Sequence, residues 1–109
     1  MRLLLLLTLT LSAPASARTL QVGPDAELRT LADAARAAHD GDTVFIAPGE
    51  YFSCATWNAN ALVIEGAGPG VVLSDSACEG KASFVVNGHD VVVRNLTFTR
   101  VRVPDGNGA

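Results

Sequence analysis

The sequence predicts an all-β protein with one helix near its N-terminus, the strands wound as a coil of parallel turns. Three observations carry that prediction. From Thr43 onward the apolar residues follow a period of two, in short stretches rich in Val, Ile and Phe. Clusters of Gly, Pro, Asn and Asp separate these stretches, and no second helical pattern fits after residue 42. Strand starts recur at intervals near 20 residues, with Val44 to Leu62 spanning 18 and Leu62 to Phe84 spanning 22, the mark of a repeat whose turns stack. A sandwich of antiparallel hairpins is the competing architecture, but it calls for strands of matched length joined by two-residue turns.

The first segment, residues 1–17, reads as a leader rather than as part of the fold. Arg2 precedes a nine-residue, leucine-dominated stretch from Leu3 to Leu11, followed by Ser12-Ala13-Pro14-Ala15-Ser16-Ala17. A basic start, a short greasy centre and an Ala-x-Ala ending describe a secretory signal peptide, with cleavage expected after Ala17. Nine helical residues reach roughly 14 Å, about half of a ~30 Å hydrocarbon core, so the segment is too short to span a membrane. Cleavage would leave 92 residues and, because Arg2 departs, a net charge of −4 in place of −3. Such an acidic product has no cationic excess with which to hold nucleic acid or an anionic membrane surface. The expected location is secreted or periplasmic.

Residues 18–42 hold one strand and the helix. Thr19-Leu20-Gln21-Val22 reads as a strand ended by Gly23-Pro24. Thr30 followed by Asp33 resembles a capping box, and Leu28, Leu31, Ala34, Ala35 and Ala38 form one shallow apolar face, predicting a helix from about Leu31 to His39. Gly41 suits the left-handed residue that ends many helices, and His39 is placed to cap the C-terminal carbonyls. A face built mostly of alanine lies flat across a layer.

Residues 43–109 form the β body. Its stretches are Thr43-Val44-Phe45-Ile46, Ala61-Leu62-Val63-Ile64, Gly70-Val71-Val72-Leu73, Ser83-Phe84-Val85-Val86, Val91-Val92-Val93-Arg94 and Leu96-Thr97-Phe98-Thr99. Gly66 and Asn95 each follow a strand, and both residue types accept φ > 0, so each can turn the chain onto another face. Cys54 and Cys78 are the only cysteines. Export to an oxidising compartment favours a disulfide between them over two buried thiols, and neither His39 nor His89 has zinc-finger spacing from them.

The run Thr30-Leu31-x-x-Ala34-x-x-Ala37-Ala38-x-Asp40-Gly41-Asp42-Thr43-Val44-x-Ile46-x-Pro48-Gly49-x-Tyr51, then Leu62-x-Ile64-x-Gly66-x-Gly68 and Val91-x-Val93-x-Asn95-Leu96-Thr97-Phe98, resembles the opening of right-handed parallel β-helix proteins of the pectin-lyase-like superfamily. The resemblance covers about Leu20 to the end. It implies an N-terminal capping helix, and a corner asparagine at Asn95 whose ladder Gly66 interrupts one or two rungs earlier. It also implies a polysaccharide partner. About three rungs fit, without a C-terminal cap, so the chain is expected to be the front piece of a longer protein.

Enzymes of that kind use clustered carboxylates, or carboxylates with calcium and a basic residue. The candidates are Asp40, Asp42, Glu65, Asp75, Glu79, Asp90 and Asp105, with Arg94, Arg100 and Arg102 as cations that could form a basic stripe. The plainer readings are a polar turn for Asp40 and Asp42, a surface ion pair for Glu65 and Arg94, and a bare turn for His89 within Asn87-Gly88-His89-Asp90. Asp105-Gly106-Asn107-Gly108 faintly matches the start of a calcium loop, but its distal ligands are missing. Trp57 and Tyr51 suit packing near the Cys54 loop better than sugar stacking. Asn95-Leu96-Thr97 has the form of a glycosylation sequon, whereas a corner role expects Asn95 to be buried. The expectation is therefore an exported scaffold with no assignable catalytic residue, no metal site and no cofactor, calcium being open in a longer form. The alternatives are a non-enzymatic adhesive module of the cell envelope, or a lyase or hydrolase whose catalytic rungs lie beyond residue 109.

Overall fold

The computed structural model describes residues 17–78 and 80–101. Most of the proposed leader, together with Glu79, Arg102 and Asp105, lies outside the described residues. The chain runs β1 (Thr19–Val22), α1 (Leu31–Ala37), β2 (Thr43–Ile46), β3 (Gly49–Tyr51), β4 (Ala55–Trp57), β5 (Val63–Gly66), β6 (Val71–Ser74), β7 (Phe84–Val86), β8 (Val92–Arg94) and β9 (Thr97–Thr99). These strands form three sheets, β1-β2-β5-β8 (sheet A), β3-β6-β9 (sheet B) and β4-β7 (sheet C). Every pairing between these strands is parallel. The molecule is a β-solenoid of about three turns, each visiting the sheets in turn.

The register differs from the spacing read in the sequence. Val44 pairs with Ile64, 20 residues on, and Ile64 pairs with Val93, 29 residues on. Phe84 stands over Ala55 on sheet C rather than over Leu62. The second turn is longer because residues 75–83 leave the coil between β6 and β7, where Cys78 and Ala82 form an antiparallel bridge around Gly80 at φ 64°. Two three-residue strands, β3 and β4, escaped the period-two reading because each shows barely one alternation.

Alternation within the strands directs one set of side chains into the coil. Val44, Ile46, Ile64, Leu73 and Trp57 are fully or almost fully buried there. Burying each large aliphatic side chain contributes roughly 1.5–3 kcal/mol. Trp57, Phe84 and Phe98 climb from the first turn to the third in edge-to-face contacts with centroids 5.3 and 5.2 Å apart. Tyr51 is also buried, its hydroxyl donating to the Ala47 carbonyl (2.6 Å). These burials answer the question of sugar stacking in favour of packing.

Cys54 and Cys78 are joined by a disulfide with a Cα–Cα distance of 5.4 Å. It ties the excursion of the second turn to the short connection between β3 and β4 beneath it, closing a loop of sequence separation 24. Closing such a loop removes about 3–4 kcal/mol of chain entropy from the unfolded state on the usual model. The bond accords with an oxidising environment.

The helix starts as expected and stops earlier. Thr30 caps it, accepting from the Asp33 N–H (3.0 Å), but the Asp33 carboxylate pairs with Arg36 instead of returning to Thr30. Ala38 is already extended (φ −72°, ψ 135°), so α1 ends at Ala37; Gly41 at φ 87° belongs to the following turn. The Arg18 guanidinium, not His39, reaches the C-terminal carbonyl of Ala37 (3.0 Å). Leu31 and Ala34 are fully buried, and α1 packs mainly against β4 and also against β1. Among the described residues no helix is long and apolar enough to cross a membrane.

Candidate functional site

Because the strands stack in register, equivalent residues of successive turns lie one above another, and the corners show this most clearly. Asp40, Asn60 and His89 occupy equivalent places three residues before β2, β5 and β8. Asp40 Oδ1 accepts from the Asn60 N–H (2.8 Å), and Asn60 Oδ1 accepts from the His89 N–H (3.0 Å). Beside them the Asn87 amide donates to Asn58 Oδ1 (2.8 Å), these two being the residues that follow Trp57 and Val86 on sheet C. Polar ladders thus stand at the corner between sheets C and A. Their signal, polar residues spaced by 20 and 29, was hidden by the unequal turn lengths.

At the corner between sheets A and B, where Gly66 and Asn95 were expected to carry or interrupt the ladder, the two do stack. Their reasons differ from those read in the sequence. Asn95 has φ 61° and is exposed, so the expected burial is not found: no strand covers it from above among the described residues. Gly66 is not at positive φ; a Cβ there would lie 2.2 Å from the Asn95 carbonyl oxygen, so close approach of backbones excludes a side chain. An open cleft of about 440 Å³ at this corner is lined by Gly68, Pro69, Gly70, Asn95, Leu96 and Thr97.

A charged group at the edge of sheet B spans three turns. Glu50 lies on β3; Asp75 (φ 61°) and Arg100 (φ 53°) follow β6 and β9 at stacked corners. Arg100 donates to both Asp75 oxygens (3.0 Å each) and to Glu50 Oε2 (3.1 Å), which also accepts from the Ser74 hydroxyl (2.7 Å). The Ser74 hydrogen bond, followed by Arg100, holds the Glu50 carboxyl below its ordinary range despite the nearby Asp75 charge. Donating to Asp75, and then to Glu50, raises the pKa of the Arg100 guanidinium in turn. A general acid needs a raised carboxyl pKa, so Glu50 is tuned toward the ionised, charge-pairing state.

The remaining candidates are dispersed. Glu65 and Arg94 face each other across β5 and β8 at 3.4 Å, the surface pair expected from the sequence. Such a cross-strand pair contributes under about 1 kcal/mol. Arg94 and Arg100 stand on different sheets, each committed to carboxylates, so they do not form the basic stripe considered above. His89 lies 3.0 Å from Asp90 at an exposed turn. Asp42 closes the expected polar turn, its N–H donating to the His39 carbonyl (3.1 Å), but it is only 1% exposed. Its carboxylate accepts from the N–H groups of Arg18 and His39 (2.9 Å each) and from the Arg18 guanidinium (3.0 Å). Burial pushes its carboxyl up, but those donors outweigh burial and hold it below the ordinary value. No group of three or more metal-ligating side chains is gathered among the described residues.

Comparison of the chain with known family models, curated proteins and solved structures gives no match.

Proposed function

We propose that this chain is an exported scaffold, the opening of a right-handed parallel β-helix of the pectin-lyase-like kind, with α1 as its N-terminal cap and an outer face that meets polysaccharide. The observation that carries the scaffold reading is the state of the outward carboxylates. Glu50, Glu65 and Asp75 are each engaged by an arginine of a later turn, which binds successive turns together instead of leaving an acid and a base poised over a substrate. The parallel coil and the cross-turn disulfide support the fold and export halves of the reading. The polysaccharide half rests on the resemblance in the sequence, and folds of this kind host many activities.

Affinity electrophoresis of the exported protein through gels containing pectin or alginate tests it, alongside an assay for newly released sugar ends. Retarded migration without release of ends is the expected result. Measurable turnover would overturn the scaffold reading, and unchanged mobility in every acidic or neutral glycan would overturn the polysaccharide one.

A further inference from the structure

The buried carboxylate of Asp42 sits against the first residue that would remain after leader removal. Ala17 is exposed and lies beside Gly41, while Arg18 is held by both its backbone and its guanidinium. Its N–H donates to Asp42 Oδ1 (2.9 Å), its guanidinium donates to Asp42 Oδ2 (3.0 Å), and its carbonyl accepts from the Thr43 N–H (2.8 Å). The last bond begins the β1–β2 ladder. Among the described residues the ladder thus begins at Arg18, and Ala17 and Arg18 are both exposed.

We propose that hydrolysis of the Ala17–Arg18 bond by a leader peptidase of the exporting cell creates an α-ammonium at Arg18 that forms an ion pair with the buried Asp42 carboxylate, adding to the stability of the coil only after export. Water adds across the peptide bond: Ala17 leaves with the carboxylate, and the Arg18 nitrogen takes up protons to become the ammonium. In the uncut chain that nitrogen is a neutral amide whose N–H donates to the ionised Asp42 carboxylate. After the cut the same atom carries a full positive charge at the same position. A cationic donor adds direct charge–charge attraction to a hydrogen bond whose acceptor is already ionised, and here that acceptor is shielded from water. The proposal rests on reading residues 1–17 as a leader; it is independent of any glycan.

The test uses the full chain exported with its own leader. N-terminal sequencing of the product is expected to begin at Arg18, and a start elsewhere overturns both the leader boundary and the ion pair. The product is then acetylated near neutral pH in denaturant, where the freed α-amine at its ordinary pKa of about 8 reacts in preference to a lysine side chain, and is refolded. Acetylation is expected to raise the unfolding equilibrium constant about tenfold in the natural sequence and to leave it unchanged in Asp42→Asn. Equal stability of the free and acetylated natural protein overturns the ion pair while leaving the cleavage site intact.

If Asp42→Asn fails to fold, the pKa of the Arg18 α-amine, followed by NMR, decides instead. The groups facing it are the Asp42 carboxylate, its own guanidinium and the His39 imidazole, 2.8 Å from that guanidinium. Direct contact with Asp42 is expected to raise it clearly above the ordinary value, and an unshifted or lowered value overturns the proposal.

Discussion

Val44, Ile64 and Val93 stand one above another on sheet A, and the first two are fully covered while Val93 is 40% exposed. The same contrast runs up sheet C, from Trp57 at 0% to Val86 at 42%. An inward residue with neighbours both below and above is covered; on β8 and β7, the last strands of sheets A and C among the described residues, it has a strand only below. Inward orientation is a property of the strand, but burial is a property of the stack.

That comparison yields its sharpest check in the core. Ile64→Ala empties a site covered on both sides and is expected to cost about 2–5 kcal/mol of unfolding free energy. Val93→Ala, at the equivalent place one turn later, should cost only about 1 kcal/mol, because the removed group is smaller and 40% of the residue already meets water. Denaturant titration of both variants tests this, and equal losses would mean that the third turn is covered in solution.

The corners give a second, smaller contrast. A Cβ at Gly88 would lie 1.9 Å from the Ala59 carbonyl oxygen, whereas one at Gly68 meets nothing within 4 Å. Gly88→Ala should therefore lower stability by about 1–3 kcal/mol, the usual cost of forcing atoms into occupied space. Gly68→Ala should change the thermal midpoint little, and a large loss there would show that the open corner is occupied in solution.

Acid distinguishes the two ends of the coil most gently. The folded state holds the Asp42 carboxyl below its ordinary value, so the unfolded chain binds that proton more tightly. The stability it contributes is full above the unfolded value of about 3.9 and is lost as pH falls through the folded value. As pH falls below about 4, hydrogen-exchange protection should drop first at the His39 and Thr43 amides, before the third turn responds. Asp42→Asn should remove that pH dependence.

Several features were legible because they are local. Thr30 and Asp33 mark the helix start, and β1 and β2 were read with their observed bounds. A single cysteine pair leaves one intramolecular disulfide to form. The Glu65–Arg94 pair was visible because each residue precedes a corner. The candidate chemistry was less legible. Glu50 was not singled out, and its link to Arg100 spans 50 residues across three turns. The Asp40–Asn60–His89 ladder was missed because a fixed repeat near 20 pairs the wrong residues once residues 75–83 lengthen the second turn.

The sequence by itself determined that short strands would wind in parallel behind one helix, since alternation, turn residues and the chain's spacing act over a few residues at a time. Only the tertiary structure decided which turn lies over which, that Gly66 is needed for a carbonyl's approach, and that Asp42 is buried against Arg18. Those facts depend on contacts between residues 20 to 30 positions apart, and the length of each excursion sets them.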